Sequence, residues 1–75
     1  MKIMTEADIG SCVTYVPYNG CPKSKWENGI VKSYSNENKL AFVVYHCHND
    51  WDHYFRYTGE STVYEDLLRG WKEEL

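Results

Sequence analysis

Ten consecutive residues, Tyr45-His46-Cys47-His48-Asn49-Asp50-Trp51-Asp52-His53-Tyr54, hold the densest set of side chains able to do chemistry. Two readings follow. On a strand, His46 and His48 point to one face and could offer two imidazole nitrogens to a metal, with His53, Asp50 or Asp52 completing the shell. The third ligand has no diagnostic spacing, however. The other reading is a polar loop whose Asp50 and Asp52 accept backbone hydrogen bonds and organise a turn, while Trp51 packs inward or over it. Cys47 lies between two histidines, but neighbouring strand residues face opposite ways, so it reads as a small core side chain rather than a nucleophile. A hydrolase built on Asp50 and Asp52 would need a cleft that a domain this small does not offer. No glycine-rich phosphate motif is present. The residues point to no enzyme and no cofactor.

The aromatic residues are the other conspicuous group. Seven Tyr and three Trp exceed what a core of this size can bury with every polar tip hydrogen-bonded. Several should be partly exposed, with Tyr15, Tyr18, Trp26, Tyr45, Trp51, Tyr54 and Tyr57 the candidates. Exposed rings beside Asp50 and Asp52 favour binding to another protein, and the expected contact residues are Trp26, Tyr45, Asp50, Trp51, Asp52, Tyr54 and Tyr57. Lys23, Lys25 and Lys32 form the only local basic group. Lys25-Trp26 could clamp one phosphate and one base, so a single-stranded nucleic acid is the alternative partner. A small ligand or metal on the histidine-rich loop is another, and self-assembly as a structural accessory protein, pairing with a second copy, is a third; the chain is expected to be a monomer or a homodimer.

The elements that must position these groups fit into 75 residues and 8.9 kDa, enough for one domain with a small core. Leu, Ile, Val and Phe together make only 20% of the chain, so the 43% apolar share depends on aromatics. A formal charge of −3 gives no broad attraction to nucleic acid or to an anionic membrane. The longest apolar run, residues 40–45, is far short of the ~20 residues that span a bilayer, and the start of the chain lacks a signal-peptide pattern. The expectation is a cytoplasmic protein. Three cysteines without a CxxC pair suggest reduced thiols, a disulfide between two of them being the alternative, with Cys21 in its polar loop the most accessible.

Along the chain, residues 1–9 read as an irregular lead-in. Residues 11–18 form a first strand, rich in β-branched and aromatic side chains, which should end at Pro17 or lie at an edge. Residues 26–35 form a second, with a kink or bulge at Asn28-Gly29. After the polar turn 35–39 comes the strongest strand, 40–47, and then a short fourth strand at 54–58. Thr62-Val63-Tyr64-Glu65 matches a capping box opening a helical turn anchored by Leu67 and Leu68 and stopped by Gly70. Trp71 returns as a brief strand or a plug on the core, before the charged tail 72–75. Four to five short antiparallel strands with one helical turn near the C-terminus predict a mainly β, strongly bent barrel over residues 10–71.

The ordered set Gly10-x-x-Val13-x-Tyr15, Trp26-Glu27-Asn28-Gly29-Ile30-Val31, Phe42-Val43-Val44-Tyr45 and Leu67 resembles the pattern of Tudor-like members of the SH3-like barrel class. That resemblance implies an aromatic cage for a methylated ammonium near Trp26, Tyr45 and Trp51, with Asp50 or Asp52. The chain lacks the Asp-Tyr-Gly that usually follows the third strand in that class. The segments Gly-Ile-Val-Lys-Ser and Val-Val-Tyr-His-Cys-x-x-Asp-Trp-Asp-x-Tyr also resemble small uncharacterised proteins of phages and prophages. This second resemblance implies a host protein as partner, an inhibitor of host defence or regulation as role, and the host cytoplasm as location.

Overall fold

Three of the five strands fall where β-branched and aromatic residues cluster. In the computed structural model, which describes residues 2–75, Cys12–Tyr15 is β1, Glu27–Ser35 β2, Leu40–Val44 β3, Glu60–Val63 β4 and Leu67–Arg69 β5. Pro17 ends the first of these two residues beyond Tyr15. All pairings are antiparallel, in the order β4-β3-β2-β1-β5, forming one mainly β sheet. The β4 and β5 strands lie at opposite edges, yet only the 3-10 turn Tyr64–Asp66 separates them in sequence. Four inter-strand gaps of about 4.8 Å would hold flat edges ~19 Å apart, whereas four residue steps reach at most about 14 Å. The sheet must therefore curl. Val16 N–H donates to the Asp66 carbonyl at 2.8 Å and Tyr64 N–H to the Lys39 carbonyl at 3.0 Å, pinning the turn to both sides.

Val13, Val31, Ala41, Val43, Tyr45, Tyr64 and Leu67 form the core, and Met4 joins them from the lead-in. Residues 2–9 are thus more than an entry segment, and Met1 lies outside the described residues. Asn36, in the β2–β3 turn, accepts from Met4 N–H at 2.9 Å and donates to the Met4 carbonyl at 2.8 Å, and its Oδ1 also takes the Tyr64 hydroxyl at 2.7 Å. Asp8 accepts from Thr5 N–H at 2.8 Å and pairs with Arg69. The Arg69 hydrogen bond, followed by that of Thr5, holds the Asp8 carboxyl below its usual value.

Several expectations are corrected. The irregularity in β2 falls between Val31 and Ser33, leaving Gly29 in register opposite Val13; the extra residue, Lys32, turns its ammonium onto the Tyr57 carbonyl at 2.7 Å. Residues 54–58 form no strand. Trp51–Arg56 is instead 3-10 structure, because local hydrogen bonds such as Asp50 N–H to Cys47 O, 2.8 Å, and His53 N–H to Asp50 O, 3.0 Å, override the aromatic preference for strand. Thr62 caps nothing, since it sits inside β4 with its hydroxyl bonded to that of Tyr45 at 2.8 Å. Val63 occupies the N-cap position, and Leu67 and Leu68 pair with β1 rather than anchoring a helix. Cys21 is buried and Cys12 is the exposed thiol; all three cysteines are free.

Candidate functional site

The 15-residue connection between β3 and β4 is far longer than a hairpin needs, and it carries the rings of Trp51, Tyr54, Phe55 and Tyr57 beside the carboxylates of Asp50 and Asp52. Two successive residues with left-handed backbone, His48 (φ 53°) and Asn49 (φ 64°), turn the chain out of β3. Asn tolerates this conformation through its short polar side chain. Beyond them, Asp50 organises the segment: one carboxylate oxygen lies 2.7 Å from His53 Nδ1 and the other accepts the Tyr57 hydroxyl at 3.0 Å. The hydrogen bond to His53, then that to Tyr57, lowers the Asp50 pKa. Its carboxylate in turn raises those of His53 and Tyr57.

The rings then pack on one another. Phe55 meets Tyr54 edge-on at 5.7 Å and His53 at 6.2 Å, and the Arg56 guanidinium lies 5.9 Å from its centroid. Trp51 packs against Trp71 at 5.2 Å, and the Trp71 indole N–H donates to the Gly29 carbonyl at 2.9 Å. Phe55 remains 55% exposed. It is not among the expected contact residues, which are all Tyr, Trp or Asp; the local turn, unseen in the pattern, puts it outside.

The structure brings together Asp50, Trp51, Asp52, Tyr54 and Tyr57 on this segment, with Asp52 exposed and Trp51, Tyr54 and Tyr57 half-buried. Tyr45 lines a groove with Tyr57 but is mostly buried, and Trp26 lies elsewhere. Tyr45 is only 9% exposed; burial pushes its phenol up to about 12, and its ring packs 6.0 Å from Tyr15. Trp26 lines a different groove with Tyr18 and Leu68, its indole N–H donating to the Cys21 carbonyl at 3.0 Å. The aromatic cage implied for Trp26, Tyr45 and Trp51 is therefore not assembled, since Trp51 has Trp71 as its ring partner and Tyr45 is in the core.

The histidines also separate. β3 ends at Val44, so the strand alternation that would have aligned His46 with His48 does not extend to them. His46 lies 3.9 Å from the Glu27 carboxylate, His48 sits in the left-handed turn and His53 is bound to Asp50. Among the described residues, no three His, Cys, Asp or Glu side chains are grouped to hold a metal ion. Cys47 is a buried free thiol. The basic group disperses as well: Lys32 bonds to Tyr57, while Lys23, rather than Lys25, lies over the Trp26 ring at 5.8 Å and reaches the Leu75 carbonyl.

The Asp50–His53 contact predicts a pH window. A His pKa raised above 6.5 contributes stability below that value, which is lost as pH rises through the raised folded value; a lowered Asp contributes above 3.8, which is lost as pH falls through its folded value. The contact is thus complete between about pH 4 and 6.5. Proton NMR titration of Asp50→Asn should show the His53 midpoint falling relative to the unsubstituted chain. An unchanged midpoint would remove the pairing.

Neither protein families, curated proteins nor solved structures show a match to this chain. Among the described residues, no helix is long and apolar enough to cross a membrane.

Proposed function

We propose that the chain is a non-catalytic protein-interaction module, a small SH3-like, Tudor-like barrel that docks the aromatic and acidic segment of residues 50–57 on another protein. The observation that carries this reading is Phe55, a large ring left in solvent while the rings and hydrogen bonds on either side hold its backbone in place. A pre-ordered exposed aromatic is the usual anchor of an interface, because little side-chain freedom remains to be lost on binding. Asp52 adds an exposed carboxylate for electrostatic steering, since Asp50 is already engaged. The strand order, and the short turn joining its two edges, support the barrel part. The phage and prophage resemblance directs the search to bacterial host proteins of defence or regulation, met in the host cytoplasm.

The test is affinity capture from a bacterial lysate, followed by titration of the captured protein against Phe55→Ser. Binding should weaken about 30-fold or more, the range of an interface hot spot. The melting temperature should change little, because truncating an exposed ring opens no cavity. Capture of no stoichiometric partner, or equal affinity of the variant, would reject the proposal.

A further inference from the structure

Two grooves flank the Tyr64–Asp66 turn, and they are chemically opposite. One, of about 510 Å³, is lined by Tyr18, Trp26 and Leu68 with the acidic residues Glu65 and Asp66. The other, of about 610 Å³, is lined by Ile3, Val63 and the basic residues Lys2 and Lys39, and it shares Glu65 with the first. Among the described residues, the salt bridges are His46–Glu27, His53–Asp50 and Arg69–Asp8. None of them uses Lys2, Lys39, Glu65 or Asp66.

Exposed apolar side chains concentrate in the same place. Among the described residues, Ile3 (63%), Tyr18 (55%), Val63 and Leu68 are four of the seven large hydrophobic side chains left exposed. Val63 belongs to β4 and Leu68 to β5, the two edge strands of the sheet. Sheet edges are the part of a β protein most in need of cover.

We infer that this seam is the interface of a symmetric homodimer, its two-fold axis passing near Glu65, in which the basic groove of each copy lies on the acidic groove of the other. A two-fold interface requires that residue i meet residue j and j meet i. Adjacent grooves of opposite charge sharing one central residue satisfy that requirement, and the second copy supplies both the cations and the apolar cover. A stable contact of ~800 Å² from each partner would take about one sixth of the 4968 Å² surface. Phe55 lines neither groove, so the dimer goes beyond the partner-binding reading and would present two copies of that segment.

Light scattering and sedimentation decide the matter. The unsubstituted chain should run at twice its 8.9 kDa mass and shift toward monomer at high salt. Lys39→Glu alone and Asp66→Lys alone each set like charges face to face at both symmetric contacts, so self-association of either should weaken roughly 10- to 100-fold. Mixing the two variants restores opposite charges at both contacts and should give a 1:1 heterodimer. Far-UV circular dichroism checks that each is folded, and the unsubstituted chain provides a test that depends on neither. A monomer at every concentration, an open-ended size series, or variants that dimerise like the unsubstituted chain would overturn the inference. So would a monomer that binds oligolysine through Glu65 and Asp66, which would assign the groove to a foreign cationic partner.

Discussion

Gly29→Ala is expected to destabilise the fold by about 3 kcal/mol, the upper end of the usual cost of overpacking. A Cβ at this position would lie 2.5 Å from Val43 Cγ1, 2.9 Å from Tyr45 Cδ1 and 2.9 Å from the Val44 carbonyl oxygen. None of these can withdraw freely. Val43 is sealed in the core, Tyr45 is tied through its hydroxyl to Thr62, and the carbonyl belongs to the β3 backbone. The backbone of Gly29 is equally fixed, being paired with Val13 and accepting the Trp71 indole. For a domain of this size each kcal/mol moves the melting temperature by roughly 4–8 °C, so a fall of about 12 °C or more should appear in thermal unfolding. Adding Val43→Ala removes the nearest atom, so the double variant should lose less than the sum of its parts. A single variant within about 1 kcal/mol of the unsubstituted chain would show that strands β2 and β3 can part locally.

Gly29 also shows how far the pattern could be read. Asn28-Gly29 suggested a kink because glycine inside a strand signals either a bulge or a close approach, and residue types alone do not separate the two. The approach depends on Val43 and Tyr45, which only the register places opposite. Strand existence was legible wherever β-branched residues cluster: β1, β2 and β3 fall where expected, within a few residues at their ends. The C-terminal third was not. Leu67-Leu68-Arg69 has no strand signature of its own and becomes β5 only because β1 offers a free edge. Met4 enters the core through its paired hydrogen bonds to Asn36, a contact across 32 positions that no local window reveals. At the candidate site, the clustering of Asp50, Trp51, Asp52, Tyr54 and Tyr57 was plain from their adjacency. The exposure of Phe55 and the burial of Tyr45 depend on where the strand stops, which hydrogen bonds of the following turn decide.

Trp71→Ala should destabilise the chain by about 2–3 kcal/mol, below the 3–5 kcal/mol for truncating a fully buried Trp because this side chain is only half-buried. The loss combines the packing on Trp51 with the indole hydrogen bond to Gly29. Its consequence reaches the candidate site. Trp51 opens the 3-10 segment that carries Phe55, and Trp71 is itself held by neighbours on the tail: Lys72 N–H donates to Asn28 Oδ1 at 2.9 Å, and Asn28 Nδ2 donates to Glu73 at 2.7 Å. The charged tail therefore braces the candidate segment through one pair of indoles. Trp71→Phe separates the two contributions, since it keeps a ring against Trp51 but removes the donor, and should lose only about 1 kcal/mol. Urea unfolding measures both costs. Amide hydrogen exchange then reads the coupling: protection across residues 51–57 should drop further than in β1–β3 in Trp71→Ala and stay near its original level in Trp71→Phe. A uniform drop across the whole chain would mean that the indole pair stabilises the fold without holding the segment.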